Sequence, residues 1–445
     1  MAGLAAAQRL ARGKLRVTVL EARPRLGGRI LTQRPAGWTQ PVELGAQFVH
    51  VGNPDLWRVI RQAGLKTRRL PDRHWLSDET GVRKIPDLDA RLGCVTGQIK
   101  PRLAGDQSFG AYFRRHPVAV ARADWKLARS FVEGFEAAPM NEISARSLAG
   151  ETMDERHQYL LPNGYDGVID ALVGDAAGRG VKLKTGAVVQ LVNWRRGRVE
   201  ITTRSARRGG ETTRHVAQAV IVAVPLAVLQ ARRGAGAVRF SPPLRRQEKW
   251  LAGMGVGQVV RLTARFHPRV WRRLSAKLPA SSVQGGLGFL HSLVPGMPVW
   301  WSLSKEPVLV GWAGGPEARR LLKLSKATRR RRALQSLAKI LHVPAALLRQ
   351  GVAEWVAHDW THDPFSRGAY SFTAAGEDQT AKKLREPVQG TIFLAGEALA
   401  EGAEVGTVHG ALSSGLRAAD AVRRIVSQRD GKVHKVGTVG GNGGR

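Results

Sequence analysis

The first 28 residues place a helix, a strand and a glycine-rich loop in an order that is typical of α/β folds. Residues 1–13 (MAGLAAAQRLARG) predict a helix that ends at Gly13. Residues 15–22 (LRVTVLEA) are β-branched and largely apolar, which is typical of a strand buried on both faces of a parallel sheet. A loop with two adjacent glycines, RPRLGGR, follows. These features predict part of a βαβ unit.

Gly3 and Glu21 have the spacing of the last glycine and the acidic residue in a dinucleotide-binding βαβ unit. Such a unit runs from a strand through a G-x-G-x-x-G turn into a helix and a second strand, with an acid about 20 residues after the glycines. The glycines let the backbone approach a pyrophosphate, and the acid accepts hydrogen bonds from a ribose hydroxyl. We expect the first strand and the other two glycines in about 10–20 further residues upstream, with Met1 a misplaced start or a truncation.

Segments that predict sheet strands recur in the middle and near the end of the chain. The runs VKLKTGAVVQLVNW, AVIVAVP and GTIFLAGEAL predict strands, and TVHGALSSGLRAADAVRRIV predicts a helix whose small residues allow close packing. Other stretches separate them, so we predict one discontinuous nucleotide-binding domain with a second domain inserted in two pieces. The predicted boundaries are 1–80, 158–235 and 386–430 for the first domain, 81–157 and 236–385 for the second, and 431–445 for a flexible, glycine-rich tail.

The chain is strongly basic, with 70 Lys and Arg against 35 Asp and Glu and a formal net charge of +35. One interpretation is a polyanionic partner, such as nucleic acid or an acidic membrane surface. The other is a solvated surface: in the densest cluster, KLSKATRRRRALQSLAKIL, apolar residues recur at helical spacing and Arg329–Arg332 fall mostly on the polar face. No zinc-finger or RNA-binding signature lies nearby, so nucleic-acid binding is not favoured.

Cysteine content and hydropathy set further limits. The single cysteine, Cys94, excludes an intrachain disulfide and a multi-cysteine metal site, and it fits a reducing, cytoplasmic location. The longest apolar run, AVIVAVPLAVL, contains a proline and is shorter than the ~18 residues of a membrane span. We therefore expect no membrane span.

The stretch HDWTHD (358–363) is a candidate metal site. It places His358 and His362 four residues apart, each followed by an aspartate, which on one helix face would suit a metal ion. Pro364 disfavours helical geometry at Asp363. We therefore predict structural histidines and no metal.

The runs VLEARPRLGGRI and ELGAQFVH together resemble the flavin-containing amine oxidase family, which includes monoamine oxidases, polyamine oxidases and lysine-specific histone demethylases. Further matches follow in the same order over almost the whole chain: LPNGYDGVIDAL, AVIVAVPLAVL, FSPPL, LVGWAGG, DPFSRGAYSF, IFLAGEAL and GTVHGALSSGLRAA. The last motif looks most like the demethylase and polyamine oxidase branches. The resemblance implies an α/β fold, in which an α+β substrate-binding domain is inserted into a discontinuous Rossmann-like FAD-binding domain.

For function, the resemblance implies an FAD-dependent oxidoreductase that moves hydride from a C–H bond beside nitrogen to flavin N5. Water hydrolyses the imine, and O2 reoxidises the flavin with release of H2O2. The implied partners are a small-molecule amine or related substrate and O2. Because a charge of +35 opposes cationic polyamines unless the entrance is locally acidic, a neutral amine, an amino acid or an anionic substrate fits better.

The resemblance also assigns residues to the cofactor. By motif, Glu21 holds the adenosine ribose, Val188 meets adenine through its backbone, and residues 45–47 line the isoalloxazine ring. Glu397 reaches the ribityl or pyrophosphate region, and Thr407 approaches the pyrimidine edge. The full set of implied cofactor-binding residues is Gly3, Glu21, Arg23, Gly27, Gly28, Arg29, Leu44, Gly45, Ala46, Gln47, Val188, Trp360, Gly396, Glu397, Thr407 and Val408.

The candidate catalytic residues, Arg261, Tyr370 and Thr407, include departures from the family pattern. The family lysine that hydrogen-bonds a water beside flavin N5 corresponds to Arg261, a non-conservative change that puts O2 reactivity in question. The alternative is a strand arginine paired with an acid. Tyr370 matches one aromatic wall of the substrate site, but the opposite wall falls on Thr407. The cysteine that tethers FAD in monoamine oxidases corresponds to Ala369, which implies a non-covalent flavin.

Three alternatives stay open at this point. A truncated gene could yield a catalytically impaired or non-enzymatic basic scaffold that binds polyanions. A related FAD desaturase or porphyrinogen oxidase shares the FAD domain, although FSPPL and TVHGALSSGLRAA favour the amine oxidases. Trp360 could be a core residue instead of a flavin contact.

Overall fold

The structure, a computed structural model, describes residues 1–70, 72–100, 105–117, 119–149, 158–207, 210–278, 286–302, 304 and 306–436. The helices in these ranges are α1 (Ala2–Arg12), α2 (Pro54–Gln62), α3 (Leu88–Thr96), α4 (Phe109–Arg115), α5 (Arg122–Phe135), α6 (Ala145–Leu148), α7 (Asp166–Gly178), α8 (Leu226–Leu229), α9 (Arg245–Gly253), α10 (Pro268–Ser275), α11 (Gly315–Leu322), α12 (Lys326–Ile340), α13 (Ala345–Gly351), α14 (Thr380–Leu384) and α15 (Val408–Val436). Two short 3-10 helices, Glu397–Leu399 and Gly402–Glu404, precede α15.

The strands alternate with these helices along the chain. They are β1 (Thr18–Leu20), β2 (Thr32–Gln33), β3 (Val42–Glu43), β4 (Val49–His50), β5 (Arg68–Arg69), β6 (His74–Asp78), β7 (Gly81–Ile85), β8 (Gln158–Leu160), β9 (Lys182–Lys184), β10 (Ala187–Arg195), β11 (Arg198–Ser205), β12 (Thr212–Ala217), β13 (Val220–Val222), β14 (Arg239–Ser241), β15 (Gly255–Val256), β16 (Val259–Phe266), β17 (Gly288–Ser292), β18 (Val299–Ser302), β19 (Val308–Gly314), β20 (Val352–Val356), β21 (Ser371–Phe372) and β22 (Ile392–Leu394).

The chain divides into two compact units, each assembled from separated stretches. Unit 1 comprises Met1–Gly28, Val168–Ala252 and Thr380–Arg445, and unit 2 comprises Arg29–Gly167 and Gly253–Gln379. Residues 29–80, which the sequence assigned to the first domain, fall in unit 2. The division into separated stretches agrees with the predicted discontinuous organisation, whereas the boundaries depend on the contacts of each stretch.

Unit 1 contains two parallel strand pairs, β1 with β9 and β13 with β22, and a four-stranded sheet in the order β12-β11-β10-β14. Strand β1 is shorter than the run 15–22, and its residues are half-buried or exposed, so the prediction of a strand buried on both faces is wrong. The reason is that β9 is its only strand neighbour among the described residues. Residues of α1 and α7 pack on Val19, but a strand with a neighbour on one edge only keeps part of its surface exposed.

Helix α1 packs against α15 and β22 in unit 1. Its Ala6 and Leu10 lie in one apolar cluster with Phe393. A Cβ on Gly415 would lie only 2.2 Å from the carbonyl oxygen of Ala2, so the two helices meet at a glycine. The predicted close packing of the last helix through small residues is confirmed. That helix extends to Val436, into the segment predicted as a tail, and residues 437–445 lie outside the described part of the chain.

A seven-stranded mixed sheet organises unit 2, in the order β20-β16-β19-β18-β17-β6-β7. Every neighbouring pair is antiparallel except β17 with β6. On β16, Val260, Leu262 and Ala264 join an apolar core built with helices α10–α13. Because side chains alternate along a strand, the intervening Arg261 and Thr263 lie on the opposite face. One strand thus separates an apolar core from a polar surface.

Helices α3–α6 form a second core in unit 2, which covers the β6–β7 end of that opposite face. Leu76 of β6 and Ile85 of β7 pack there with Leu88, Phe109 and Leu127 of the helices. Three smaller sheets complete the unit: β2-β3, β4-β8-β5 and β15-β21.

The described helices test two predictions, the absence of a membrane span and the exposure of the arginine cluster at 329–332. Each helix in the described ranges is too short or too polar to cross a membrane. In the arginine cluster of α12, residues 330–332 are exposed as predicted. Arg329 is an exception, because it is buried and its Nη1 lies 2.9 Å from the Asp359 carboxylate.

Candidate active site

The segment 44–47 is the centre of the candidate site in unit 2. Gly45 approaches the backbone of Arg29 so closely that a Cβ would lie 1.8 Å from the Arg29 carbonyl oxygen. Only glycine permits such an approach of two backbones. The indole N–H of Trp360 donates to the carbonyl oxygen of Leu44 at 2.8 Å. These four predicted cofactor residues therefore lie in mutual contact, and Trp360 is both a core residue and a support for the segment.

Arg29 ties this segment to the loop before β21. Its carbonyl oxygen accepts a hydrogen bond from the Ala46 N–H at 3.3 Å, and its guanidinium donates to the carbonyl oxygen of Ala369. Next to it, the Tyr370 hydroxyl donates to the carbonyl oxygen of Phe135. The ring of Tyr370 is therefore held at its tip, which suits a fixed wall of a binding site.

Arg261 projects from the middle of β16 toward the same segment and is 6% exposed. Its Nη1 donates to the carbonyl oxygen of Gly45 at 3.1 Å, and its Nη2 donates to Gln47 Oε1 at 2.7 Å. Its Cζ lies 5.5 Å from the ring centroid of Trp301, a distance suited to a cation–π contact. Its hydrogen bonds thus go to predicted flavin-lining residues and to no carboxylate among the described residues. The alternative of a strand arginine paired with an acid stays open in an electrostatic sense, because the charge of Glu43 acts on Arg261 without a hydrogen bond.

Glu43 is the carboxylate whose charge acts on Arg261. Burial raises the pKa of Glu43 to about 7, although the Tyr165 N–H and the Thr32 hydroxyl each donate to its oxygens at 2.8 Å. Burial also lowers the pKa of Arg261 to about 10, and Glu43 partly offsets this shift. Near neutral pH, Arg261 keeps its charge while the carboxyl of Glu43 is partly protonated. The carboxyl of Glu43 therefore offsets the charge of Arg261 only in part.

The face of the sheet that carries Arg261 also carries Thr263, Trp301, Phe289 and His74, which no sequence motif indicated. We call this surface the polar face. The strand register aligns Thr263 with Trp301 through the intervening strand β19, and Trp301 with Phe289 and His74. Arg261 Nε, Thr263 Oγ1 and Trp301 Nε1 are buried without a hydrogen-bond partner among the described residues. Folded proteins satisfy nearly all buried polar groups, so these three atoms are exceptions, and each has almost no accessible surface.

Two buried histidines lie at the other end of the polar face. His74 Nδ1 and His291 Nε2 are 3.0 Å apart, and His74 Nε2 lies 3.2 Å from the Asp72 carboxylate. Burial, reinforced by His74, lowers the pKa of His291 to about 3. Burial also lowers the pKa of His74. The His291 ring is therefore neutral at physiological pH, as the dry surroundings require.

In unit 1, the predicted adenosine-binding residues come together at the end of β1. The Glu21 carbonyl oxygen accepts from the Ala187 N–H, and the Arg23 carbonyl oxygen accepts from the Gly186 N–H, both at 2.8 Å. These bonds place Glu21 and Arg23 beside the start of β10, where Val188 lies. One carboxylate oxygen of Glu21 accepts from the Arg23 N–H at 2.9 Å, and the side chain stays 23% exposed. Part of the carboxylate is thus open to a ligand hydroxyl.

The glycine loop after β1 has the conformation that a close backbone approach requires. Gly27 and Gly28 have φ angles of 101° and 61°, which side-chain-bearing residues rarely adopt. No atom lies within 4 Å of the position that a Cβ of Gly28 would occupy. Gly3 differs, because a Cβ there would make only an ordinary 3.6 Å contact with Ala223. The loop therefore leaves space for a bound group at Gly28.

The start of α15 holds the last predicted cofactor residues. The Thr407 hydroxyl accepts from the Gly410 N–H at 2.9 Å and donates to the Glu404 carbonyl oxygen at 2.7 Å, so it caps the helix that begins at Val408. Gly396 has a φ of 143°, and its N–H donates to a serine of α15 at 3.1 Å. Glu397 follows and is buried. The capping bonds occupy the Thr407 side chain, so backbone groups are what this residue offers to a ligand.

The histidine–aspartate stretch forms two separate pairs. His358 Nε2 lies 3.0 Å from Asp363, and His362 Nδ1 lies 3.0 Å from Asp359. Within the described ranges, no group of three or more His, Cys, Asp or Glu residues is arranged to hold a metal ion.

Comparison with known proteins places these features in context. The sequence profile of flavin containing amine oxidoreductases matches residues 1–96 and 100–423. Polyamine oxidase 3 of Oryza sativa subsp. japonica is 30% identical over 465 residues, which cover 96% of this chain and 88% of that protein. Lysine-specific histone demethylase 2 of Homo sapiens is 29% identical over 473 residues, which cover 95% of this chain and 52% of the demethylase.

Solved structures are similar over the same extent. Putrescine oxidase with bound putrescine has a TM-score of 0.74 at 21% identity, and the match covers 96% of this chain and 97% of that one. Cyclohexylamine oxidase from Brevibacterium oxydans has a TM-score of 0.72 at 19% identity, with the same coverage. At these identities the structural matches bear on the fold. They confirm the predicted α/β fold class.

Proposed function

Because the chain belongs to the flavin containing amine oxidoreductase family, it is an FAD-dependent oxidoreductase, and we propose that it oxidises a small-molecule amine with O2 as the acceptor. Bound FAD supplies hydride acceptance at N5 from a C–H bond beside nitrogen, after which water hydrolyses the imine and O2 is converted to H2O2. The observation that carries this proposal is the convergence of Arg29, Trp360 and Arg261 on segment 44–45, because each lies at a position that corresponds to the family pattern.

The residues of unit 1 fit the ADP half of FAD. We assign the partly open Glu21 carboxylate to a ribose hydroxyl and the space beside Gly28 to the pyrophosphate. Val188 would meet adenine through its backbone. Backbone N–H groups at the start of α15, next to Thr407, would face negative charge on the ring. Glu397 is assigned to the ribityl or pyrophosphate region.

The residues of unit 2 fit the isoalloxazine ring. The backbone of segment 45–47 is fixed by its contact with Arg29, so it would present a rigid edge to the ring. Arg261 is held by two hydrogen bonds to this segment, and its charge is therefore oriented before any substrate enters. A fixed positive charge in a dry site stabilises negative charge that develops during reaction. Ala369 has no side chain that could form a bond to the ring, so the flavin is held without a covalent link.

The charge of this chain favours a different class of amine from those named in its relatives. Those names include polyamine and putrescine oxidases, whose substrates carry two or more amino groups. In this chain, the formal charge of +35 and the buried charge of Arg261 both oppose a second ammonium group. A neutral amine or an amine that carries negative charge is therefore favoured.

Domain roles and location complete the proposal. We assign 1–80, 158–235 and 386–430 to FAD binding, and 81–157 and 236–385 to substrate binding. These are functional boundaries, and they differ from the contact-based units at residues 29–80, 158–167, 236–252 and 380–385. The single cysteine, Cys94, supports a cytoplasmic location.

Absorption spectroscopy on the purified chain tests the proposal. We expect flavin bands near about 450 nm that bleach anaerobically when a substrate amine is added. Denaturation should release all of the flavin into the filtrate, because no covalent link holds it. In air, the same amine should yield H2O2. Absence of flavin after incubation with FAD, both from this chain and from a form extended upstream by about 10–20 residues, would refute FAD dependence. Bleaching without peroxide formation would refute only O2 as the acceptor.

A further inference from the structure

The loop that links β20 to β21, residues 357–370, carries residues that hold the candidate site together. The indole N–H of Trp360 donates to the carbonyl oxygen of Leu44 at 2.8 Å, and the carbonyl oxygen of Ala369 accepts a hydrogen bond from Arg29. We call this stretch the site loop. A contact that fixes the site loop therefore also fixes the segments that the loop touches.

A buried ion pair attaches the site loop to helix α12. Nη1 of Arg329 lies 2.9 Å from the carboxylate of Asp359, and Nη2 donates to the carbonyl oxygen of Leu324 at 3.2 Å. The two charged side chains are only 10% and 19% exposed. Removing one partner of a buried pair leaves the other charge uncompensated, so such a pair is harder to break than an exposed one. The start of α12 and the site loop are therefore held together.

The carboxylate of Asp359 also shapes the turn that contains Trp360. It accepts a hydrogen bond from the backbone N–H of His362 at 3.2 Å, and Nδ1 of the same histidine lies 3.0 Å away. The carbonyl oxygen of Asp359 accepts from the Asp363 N–H at 3.1 Å, and that of Trp360 accepts from the Gly368 N–H at 3.1 Å. The direction in which the Trp360 indole leaves the backbone thus depends on Asp359.

Resting on the proposed amine oxidation, we propose that Arg329 and Asp359 are positioning residues of the flavin site. Their ion pair fixes the turn at Trp360, and the indole in turn holds Leu44, next to the Gly45 edge assigned to the isoalloxazine ring. The side-chain hydrogen bonds of Arg329 go to Asp359 and to one backbone carbonyl, so Arg329 acts on the site through the loop. Without the pair, flavin should bind more weakly, because the edge of its site is no longer held in one geometry.

Exchange of the Trp360 indole hydrogen with solvent tests the turn directly, with or without flavin. Isotope-labelled tryptophan gives one NMR signal per indole, and Trp360→Phe and Trp300→Phe assign the two that matter. The Trp300 indole is the internal reference, because it is buried in the core of the same unit and donates to Met297 at 3.0 Å. Loss of overall stability speeds the exchange of both indoles, whereas loosening of the turn speeds that of Trp360 alone.

Breaking the ion pair should raise the ratio of the Trp360 exchange rate to the Trp300 exchange rate. Arg329→Gln should raise it at least about tenfold, because the charge of Asp359 loses its partner. Asp359→Asn breaks the pair from the other side and should raise the ratio as well. Arg329→Lys keeps a positive charge and should restore much of the natural ratio. An unchanged ratio in both Arg329→Gln and Asp359→Asn would overturn the proposal.

Arg319→Gln is the matched control. It removes an arginine from an ion pair of the same unit, with Glu142, whose two side chains are 40% and 45% exposed. An exposed pair contributes little, so this variant should keep the natural ratio. A rise as large as that of Arg329→Gln would overturn the proposal, because exchange at Trp360 would then respond to the loss of an unrelated ion pair.

Flavin binding shows whether the turn serves the cofactor. The dissociation constant for FAD, measured by quenching of flavin fluorescence, should rise about tenfold or more in Arg329→Gln and stay within about twofold in Arg319→Gln. Adding Arg329→Gln to Trp360→Phe should weaken FAD little further, since both changes act through one hydrogen bond to Leu44. Equal FAD affinity in Arg329→Gln and the natural protein would overturn the positioning role even where the turn loosens.

Failure of the proposed function has a different signature. A natural chain that holds no flavin, in its present or its upstream-extended form, would refute FAD dependence. The exchange ratio would then still decide whether the ion pair holds the turn at Trp360.

Discussion

Replacing Glu43 by glutamine should change how the stability of the protein depends on pH. The folded pKa of this carboxyl is about 7, against an ordinary value of 4.5, because the group is buried. A raised folded pKa means that the folded state holds the proton more tightly than the unfolded state. The stabilisation is fully present below pH 4.5 and is lost as the pH rises through 7. The shift of about 2.5 pH units, at 1.36 kcal/mol per unit, corresponds to roughly 3 kcal/mol.

Glutamine keeps the shape of the side chain but does not titrate, so this loss should be absent in Glu43→Gln. Urea unfolding of both proteins, followed by tryptophan fluorescence at constant FAD and at pH 5, 6, 7 and 8, measures the difference in free energy of unfolding. Comparing the two proteins cancels every other titrating group. The difference should move by about 2.5 kcal/mol in favour of the variant between pH 5 and pH 8.

Glu79→Gln is the control, because Glu79 is an exposed acid in the same unit. Its difference from the natural protein should stay constant over the same pH range. If the curves of Glu43→Gln and the natural protein run parallel within about 0.5 kcal/mol, the carboxyl of Glu43 is not held in a dry environment. The electrostatic account of Arg261 would then fail with it.

Three further substitutions test separate parts of the structure. Gly45→Ala should lose most bound flavin, measured near about 450 nm, because its Cβ would lie 1.8 Å from the Arg29 carbonyl oxygen; unchanged flavin content would contradict the assigned ring edge. Gly415→Ala should lower the free energy of unfolding by about 1–3 kcal/mol through the clash with α1, whereas Gly174→Ala, on an open helix surface, should leave it equal or higher. The natural protein should lose stability as the pH falls from about 6.5 toward 3, because burial lowers the pKa of His291 and the folded state resists protonation; His291→Gln should lack this loss. Identical acid unfolding curves for the two proteins would contradict the burial of His291 as a neutral ring.

Local sequence patterns predicted where helices and strands lie better than they predicted how deeply those elements are buried. The helix over 1–13 and the last helix follow from apolar spacing and small residues, and both are present as α1 and α15. The run 15–22 predicted a strand correctly, but its length and burial were wrong, because burial depends on neighbouring strands. Arg329 shows the same limit, since its burial depends on Asp359, a residue 30 positions away.

The residues of the site that the sequence did not predict are brought together by pairing of strands that are far apart in the chain. Motif order brought Arg29, Gly45 and Arg261 into the predicted set, and the structure places them in contact. The pairing of β6 with β17 joins His74 and His291 across 217 residues, and no local pattern indicates it. The orphaned donor of Trp301 depends likewise on the register of three strands.

Arg261 keeps its positive charge, so a cationic amine that binds nearby must itself lose its charge or have it compensated. With a pKa of about 10, this guanidinium stays protonated at neutral pH whether or not Glu43 is ionised. A lysine in such a place could release its proton to accommodate an ammonium substrate, because lysine shifts its pKa readily on burial. Arginine removes that option, so a cationic amine must lose its proton or bring a compensating negative charge. We therefore expect the arginine, in place of the family lysine, to affect which amines can bind near it.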